Sequence, residues 1–355
     1  MVLLSQLLLP ANGTSVSQNR ALVATLSSMS RERFAELAAL ASSNHVIIRA
    51  MDVMAETMRQ AGDGERVIWA EEARAAEEAR IENALSWLKR ICTAFEEEGL
   101  EVTVIKSLDH WPDLGSDLDL YTGADPVKVG ELMGRRFNAS LAARSWGDRL
   151  ARKWNFDIPG LPEAVEIHMG RLGQTGEQVA MAASIYPRSR QVEVGGERFR
   201  VASISDRIMI STLQRMYRHF YFRLCDILDS GGLIENRLID YDDLQRAAQG
   251  SDIWEGVATY LVIVSDTVQQ YRGTGLDLPR TVRSTARFGG EQVYYAKEFL
   301  RVPILPQSAK LYRQQLGGML RKRELHSSAR LGLLPALATA ALVGMKLTGS
   351  DKGIW

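Results

Sequence analysis

From Asp117 to Leu120 the chain alternates acid, leucine, acid, leucine. Side chains two apart on a strand share one face, whereas on a helix these four would scatter around the axis. The pattern predicts a strand with Leu118 and Leu120 in the core and both carboxylates on the opposite face. Two carboxylates held together repel each other unless a cation lies between them. Hard divalent ions such as Mg²⁺ favour such oxygen ligands. Gly115-Ser116, just ahead, allows a tight backbone entry into the strand.

A third carboxylate follows downstream. Ala164-Val-Glu-Ile-His-Met169 has the same alternation, with Glu166 and His168 on one face and Val165 and Ile167 on the other. A strand that buries Glu needs a partner or a metal for it. If this strand lies beside the first, three carboxylates converge. Asp157, on a neighbouring strand pattern, competes with Glu166 for the third position.

The order Lys106-Ser107, nine residues, Asp117-Leu-Asp119, then Glu166 resembles the nucleotidyltransferase (polymerase β-like) superfamily. Within it, the chain looks most like a branch of uncharacterised bacterial nucleotidyltransferases. That branch has a helical region, a Lys-Gly strand end, an acidic-apolar-His strand, and a helix with an Arg-Leu…Asp pattern. The last two are matched here by Glu166-Ile-His168 and Arg223-Leu-Cys-Asp226. The likeness covers roughly residues 30–260, and Ser107 stands where that branch usually has Gly.

The resemblance implies a Mg²⁺-dependent transfer of a nucleoside monophosphate from an NTP to a hydroxyl-bearing acceptor. The acceptor would be a small molecule, a protein side chain or an RNA end. Asp117, Asp119 and Glu166 would be the catalytic and metal-binding carboxylates, with two Mg²⁺ ions between them. Lys106, Ser107, Ser116, His168, Arg215 and Arg218 are the candidate nucleotide contacts. Against these stand plainer readings: Lys106 a strand-end lysine, His168 a hydrogen-bonded structural histidine, and Arg223 an ion-pair partner of Asp226. Arg215, Arg218 and His219 are one turn apart on a helical pattern and share a face.

Charge narrows the classes. Lys and Arg total 43, as do Asp and Glu, so no global field draws the chain to nucleic acid or membrane. No basic-aromatic stripe marks a nucleic-acid groove, and no DNA partner is expected. Cys92 and Cys225 sit in apolar helical patterns and read as reduced thiols of a cytoplasmic protein. The apolar start, Met1 to Leu9, has no basic flank and reads as a docking helix rather than a signal peptide.

Taken in order, residues 1–99 are an N-terminal helical region. Within it Ser30 is an N-cap, a run extends from Asn44 to Met58, and a long helix spans 65–98. Residues 100–203 form a nucleotidyltransferase-like α/β core. It contains a helix capped by Asp125-Pro126 and a hairpin around Gly195-Gly196. Residues 204–300 return to helix, beginning with a long one over 206–229 capped by Ser205 and stopped by Gly231-Gly232. The fold class is α+β, a small mixed sheet embedded between helical regions.

The tail, 301–355, is basic and then apolar. Residues 301–330 hold seven Lys or Arg and one acid, and Leu331 to Met345 is an uncharged run of 15 residues. That is short of the ~20 a membrane span needs. Residues 301–347 could pack on the protein itself, dock on a protein partner, or lie peripherally at the inner membrane face. This tail supports an alternative: a catalytically inactive nucleotidyltransferase-fold binding or assembly protein. A further alternative is a toxin-like enzyme that modifies tRNA.

Overall fold

The computed structural model describes residues 1–340 except 14, 297 and 338. The fold is α+β, a seven-stranded mixed sheet with helices on both sides. The strands are β1 (Thr103–Val104), β2 (Asp117–Thr122), β3 (Ser140–Leu141), β4 (Lys153–Asp157), β5 (Ala164–Met169), β6 (Arg190–Val194) and β7 (Glu197–Val201). Their order across the sheet is β3-β4-β5-β2-β1-β7-β6. β2 runs parallel to β5 and antiparallel to β1, and β6–β7 is the hairpin expected around Gly195-Gly196. β1 is only Thr103–Val104, and just beyond it Lys106 turns the chain out of the sheet with a positive φ of 62°.

The alternating pattern does what it predicts. Leu118, Leu120, Val165 and Ile167 are all fully buried in one apolar cluster, which also holds Phe95, Val129 and Phe199. Burying each such side chain contributes roughly 1.5–3 kcal/mol. A second apolar cluster lies among the helices, from Leu4 and Leu7 at the start to Tyr260 and Leu311. One helix joins the two. Gly64–Glu97 starts from Asp63, whose carboxylate caps the Arg66 N–H, and its 34 residues extend for about 50 Å. Trp69 and Ala73 on its first half meet the helical cluster, while Leu85, Leu88 and Ile91 on its second half meet the sheet.

The single helix expected over 206–229 is two helices. Ile204–Thr212 is α-helical, Leu213–Arg218 widens into a π turn, and Phe220 takes a φ of 55°. Its cap is Ser203, not Ser205, and Ser203 Oγ accepts from the Asp206 N–H. Tyr221–Phe222 (β8) then pairs with Phe299–Arg301 (β10), which pairs with Tyr294–Ala296 (β9) in a small second sheet. The next helix, Leu224–Glu235, runs through Gly231-Gly232 rather than stopping there. Gly231 is buried, and a Cβ there would make only ordinary contact, 3.8 Å, with Leu276 and Val268.

Part of the basic tail folds back on the rest. Ala309–Arg321 buries Leu311 and Met319, and Leu325–Gly332 buries Leu331. Lys322 pairs with Asp252 at 2.9 Å. Arg330 Nη1 donates to the carbonyls of Leu150 at 2.6 Å and Thr175 at 3.1 Å. The apolar run expected over 331–345 lies, from 341 on, outside the described residues. Among the described residues no helix is long and apolar enough to cross a membrane.

Candidate functional site

Parallel pairing sets β2 and β5 in register, with Asp119 opposite Glu166. β4 lies on the other side of β5, with Asn155 opposite Glu166 and Lys153 opposite His168. Four ionisable side chains therefore meet over the sheet. Lys106 Nζ forms an ion pair with Asp119 and sits 3.2 Å from Glu166 Oε1. Lys153 Nζ reaches the other Glu166 oxygen at 2.9 Å and Asp148 at the same distance. His168 Nε2 lies 2.8 Å from Glu166 Oε1. One donor atom each from Asp119, Glu166 and His168 lies within 4.8 Å of the others, the spacing of a single cation site.

Asp157, the rival third carboxylate, is exposed and pairs with Ser140 at the far end of β4. Glu166 is the residue that joins Asp119. Asp117 is more exposed than Asp119 and stands outside that three-residue group, although it lines the same cavity.

Burial shapes the protonation of this group. Desolvation pushes the Asp119 carboxyl well above the usual carboxylate range. Lys106 offsets part of that push and the Glu166 charge adds to it. For Glu166 desolvation also raises the pKa, but Lys106, the His168 hydrogen bond and Lys153 outweigh it and hold the carboxyl well below its ordinary value. His168 is held down to about 4 by burial, against the pull of Glu166, so its ring is neutral at pH 7.

Ser107 lines the same cavity and ties down the strand beside it. Its Oγ donates to the Asp117 carbonyl at 3.2 Å and accepts from the Asp119 N–H at 2.7 Å. The hydroxyl straps the entry of β2 and fixes where both aspartates leave the backbone. The strained backbone falls one residue earlier, at Lys106. A non-glycine residue at such a φ costs of order 1–3 kcal/mol and persists only where its surroundings hold it. Here the two carboxylates that grip the ammonium do so.

Over this group opens a cavity of about 190 Å³ lined by Ser116, Asp117, Asp119 and Glu166 on one side and by Arg215, Arg218 and Arg223 on another. That is below the roughly 300–1,000 Å³ of sites that enclose a whole small ligand, so it matches a compact charged group. Acids form its floor and guanidiniums its wall. Arg215 is committed, with Nε 2.7 Å from Asp226 and both side chains buried. Asp226 also accepts from the Arg223 backbone N–H, so Arg215 takes the ion pair that sequence suggested for Arg223. Arg218 forms no ion pair among the described residues. It lines this cavity and a neighbouring apolar crevice formed by Ile105, Leu172, Tyr217, Tyr312 and Leu331. His168 faces that crevice rather than the polar cavity.

Lys153 was missing from the sequence-based candidates. Its signal was available: a lysine on a strand whose neighbour carries a buried Glu. No family model, curated protein or solved structure matches the chain.

Proposed function

We propose that this cavity holds the metal–triphosphate end of a nucleoside triphosphate, whose nucleoside monophosphate is transferred to a hydroxyl-bearing acceptor. The observation that carries the reading is the Lys106 ammonium lying between Asp119 and Glu166 in register on adjacent parallel strands. A cation is already required there by the charges, and the carboxylate oxygens are hard donors of the kind Mg²⁺ takes. Mg²⁺ held by Asp119 and Glu166, with Asp117 at the rim, would neutralise the polyphosphate charge and that of the leaving pyrophosphate. The donors grouped here serve one ion, and the two-ion expectation rests on Asp117 swinging inward.

The chain's own residues supply the rest. Arg218 and Arg223 pair with phosphate oxygens along the basic wall. The acceptor hydroxyl oxygen bonds to the α-phosphorus, and the oxygen bridging the α- and β-phosphorus departs with pyrophosphate. The hydroxyl proton passes to Asp119, whose burial raises its proton affinity. Lys106 must swing off the carboxylates as the metal enters, and is then free to meet phosphate.

The test is the thermal stability of the full chain with each NTP, with and without Mg²⁺, beside an Asp117→Ala/Asp119→Ala variant. A ligand at 100 times its dissociation constant adds about 2.7 kcal/mol. A shift that needs Mg²⁺ and is lost in the variant supports the reading, and the responding NTP names the base. No shift with any NTP rejects it.

The same lysine favours a second reading. An ammonium seated between the carboxylates satisfies them without metal, as in a nucleotidyltransferase fold that binds or assembles but does not catalyse. Mg²⁺ binding that appears only after Lys106→Met would favour that alternative.

A further inference from the structure

Across the cavity from the carboxylates lies a second group of donors, and its chemistry is different. His45, His110 and Cys225 each bring one ligand atom within 4.8 Å of the others. They come from three separate segments: the turn before the helix Ile47–Gln60, the end of a 3₁₀ turn, and the first turn of Leu224–Glu235. We propose that these three side chains form a site for a soft divalent cation, Zn²⁺ by the chemistry of two imidazoles and a thiolate, with a fourth position open to the cavity.

The surroundings are built for ligation. His110 Nδ1 lies 2.5 Å from Asp229 Oδ2. Asp229 is paired with Arg49 and can only accept, so Nδ1 carries a proton and Nε2 is the nitrogen left for a metal. Against burial, Cys225 and Asp229 raise the free ring's pKa well above its ordinary value, so a metal there displaces a proton from Nε2. That Nε2 points at Cys225 Sγ, 3.8 Å away. In a tetrahedral zinc site, bonds of about 2.0 Å to nitrogen and about 2.3 Å to sulfur set this edge at about 3.5 Å. A carboxylate on the remote nitrogen of a ligating histidine is the usual outer partner of such sites. Arg49 ties the arrangement together. It pairs with Asp113 at 2.7 Å and Asp229 at 2.6 Å, and donates to the His45 carbonyl at 3.2 Å and the His110 carbonyl at 3.4 Å.

His45 supplies an independent observation. Its side chain is 9% exposed, and its buried Nδ1 has no hydrogen-bond partner. A buried imidazole nitrogen without a partner is a desolvated polar group that a ligand would satisfy. Its backbone is also held in the left-handed region, at a φ of 52°. Asn44 enforces that turn. Its Oδ1 accepts from the Leu224 N–H at 2.9 Å, its Nδ2 donates to the Leu40 and Glu298 carbonyls, and its own carbonyl accepts from the Cys225 N–H. The residues that place His45 are thus bonded to the residues that place Cys225. Gly115 leaves room for the ring, since a Cβ there would lie 3.2 Å from His45 Cε1. His45 and His110 both line the cavity that holds Asp117 and Asp119, so the open position faces it.

The test is Co²⁺ titration of the full chain, stripped of metal by chelator and kept reduced with a phosphine. The expected result is one equivalent bound, with the intense visible bands of a four-coordinate ion and a near-ultraviolet thiolate-to-cobalt band, both bleached by one equivalent of Zn²⁺. Cys225→Ser abolishes the near-ultraviolet band, His45→Ala weakens Co²⁺ affinity at least about tenfold, and Asp119→Asn leaves both unchanged. Lack of a thiolate band in the wild-type chain overturns the site. A band that survives Cys225→Ser also overturns it, because Cys92 would then be its source. Loss of the band in a folded Asp119→Asn chain assigns the ion to the carboxylates and overturns it too.

Discussion

Two clusters face one cavity, and they solve the problem of buried ionisable groups in opposite ways. The carboxylates of Asp119 and Glu166 are saturated in charge: Lys106 pairs with both and Lys153 with Glu166, while Asp119 Oδ1 and His168 Nδ1 carry no hydrogen bond. The histidine pair opposite is underserved. His110 has Asp229 on one side, while His45 Nδ1 has no hydrogen-bond partner at all. A saturated cluster stabilises the apo chain and must open before it binds a metal. An underserved one gives up stability in advance and gains it back on ligation. Hard and soft donors are also kept apart, so the proposed Mg²⁺ and Zn²⁺ would be sorted by ligand type.

The sharpest way to break this comparison is to unbalance the saturated side. Glu166→Gln leaves two buried ammoniums without their shared partner. It should cost about 3–5 kcal/mol in denaturant unfolding. Lys106→Met should show a loss of the same order in chelator that added Mg²⁺ partly restores. An equal loss with and without Mg²⁺ would show that the carboxylates cannot exchange lysine for metal.

Ser107→Ala tests the strap beneath that cluster. It strands the buried Asp119 N–H, and the chain should lose about 1–3 kcal/mol by thermal unfolding. A neutral result would mean that β2 holds its aspartates without the hydroxyl.

On the underserved side, Asp229→Asn weakens the orientation of His110. Co²⁺ affinity should fall about 10- to 100-fold in the spectroscopic titration, while Mg²⁺-dependent nucleotide binding stays as it was. Parallel losses in both would make the two clusters one unit.

The smallest effect calibrates the rest. Arg74 pairs with Asp52 and Glu78 on the surface at similar distances, 2.9 and 2.8 Å, with every partner about half exposed. Arg74→Ala should change stability by less than about 1 kcal/mol in the same unfolding assay.

The two clusters also differ in how far sequence reveals them. Asp117, Asp119 and Glu166 could be read from the chain because strand geometry is periodic: Asp119 and Glu166 each sit between leucine, isoleucine or valine, and Asp117 precedes Leu118. That periodicity predicted a shared face, and parallel register then brought Asp119 to Glu166. Nothing periodic links residues 45, 110 and 225. They meet because Asn44 is bonded to the start of the helix that carries Cys225 and Arg49 bridges the carbonyls of both histidines. These are tertiary contacts with no local signature. Caps and turn chemistry were legible at Ser30, Asp125-Pro126 and Gly195-Gly196 for the same local reason. The π turn at 213–218 was not, since helical spacing of Arg215, Arg218 and His219 looks the same whether or not the helix continues. The glycine pair at 231–232 misled because poor helix propensity is a weak signal that tertiary context overrides, and the helix Leu224–Glu235 runs through both.

The return of Arg330 to the carbonyls of Leu150 and Thr175 bears on the order in which the molecule can be finished. Those bonds span 180 and 155 residues of chain. Translation delivers residues from the N-terminus at about 5–20 per second, so the sheet and its acidic strands leave the ribosome well before the segment that closes the crevice beside Lys106. For that interval, on the order of ten seconds, Leu172 and Tyr217 lack the cover that Tyr312 and Leu331 bring to the crevice, and the nascent chain offers chaperones an apolar surface that the finished fold closes.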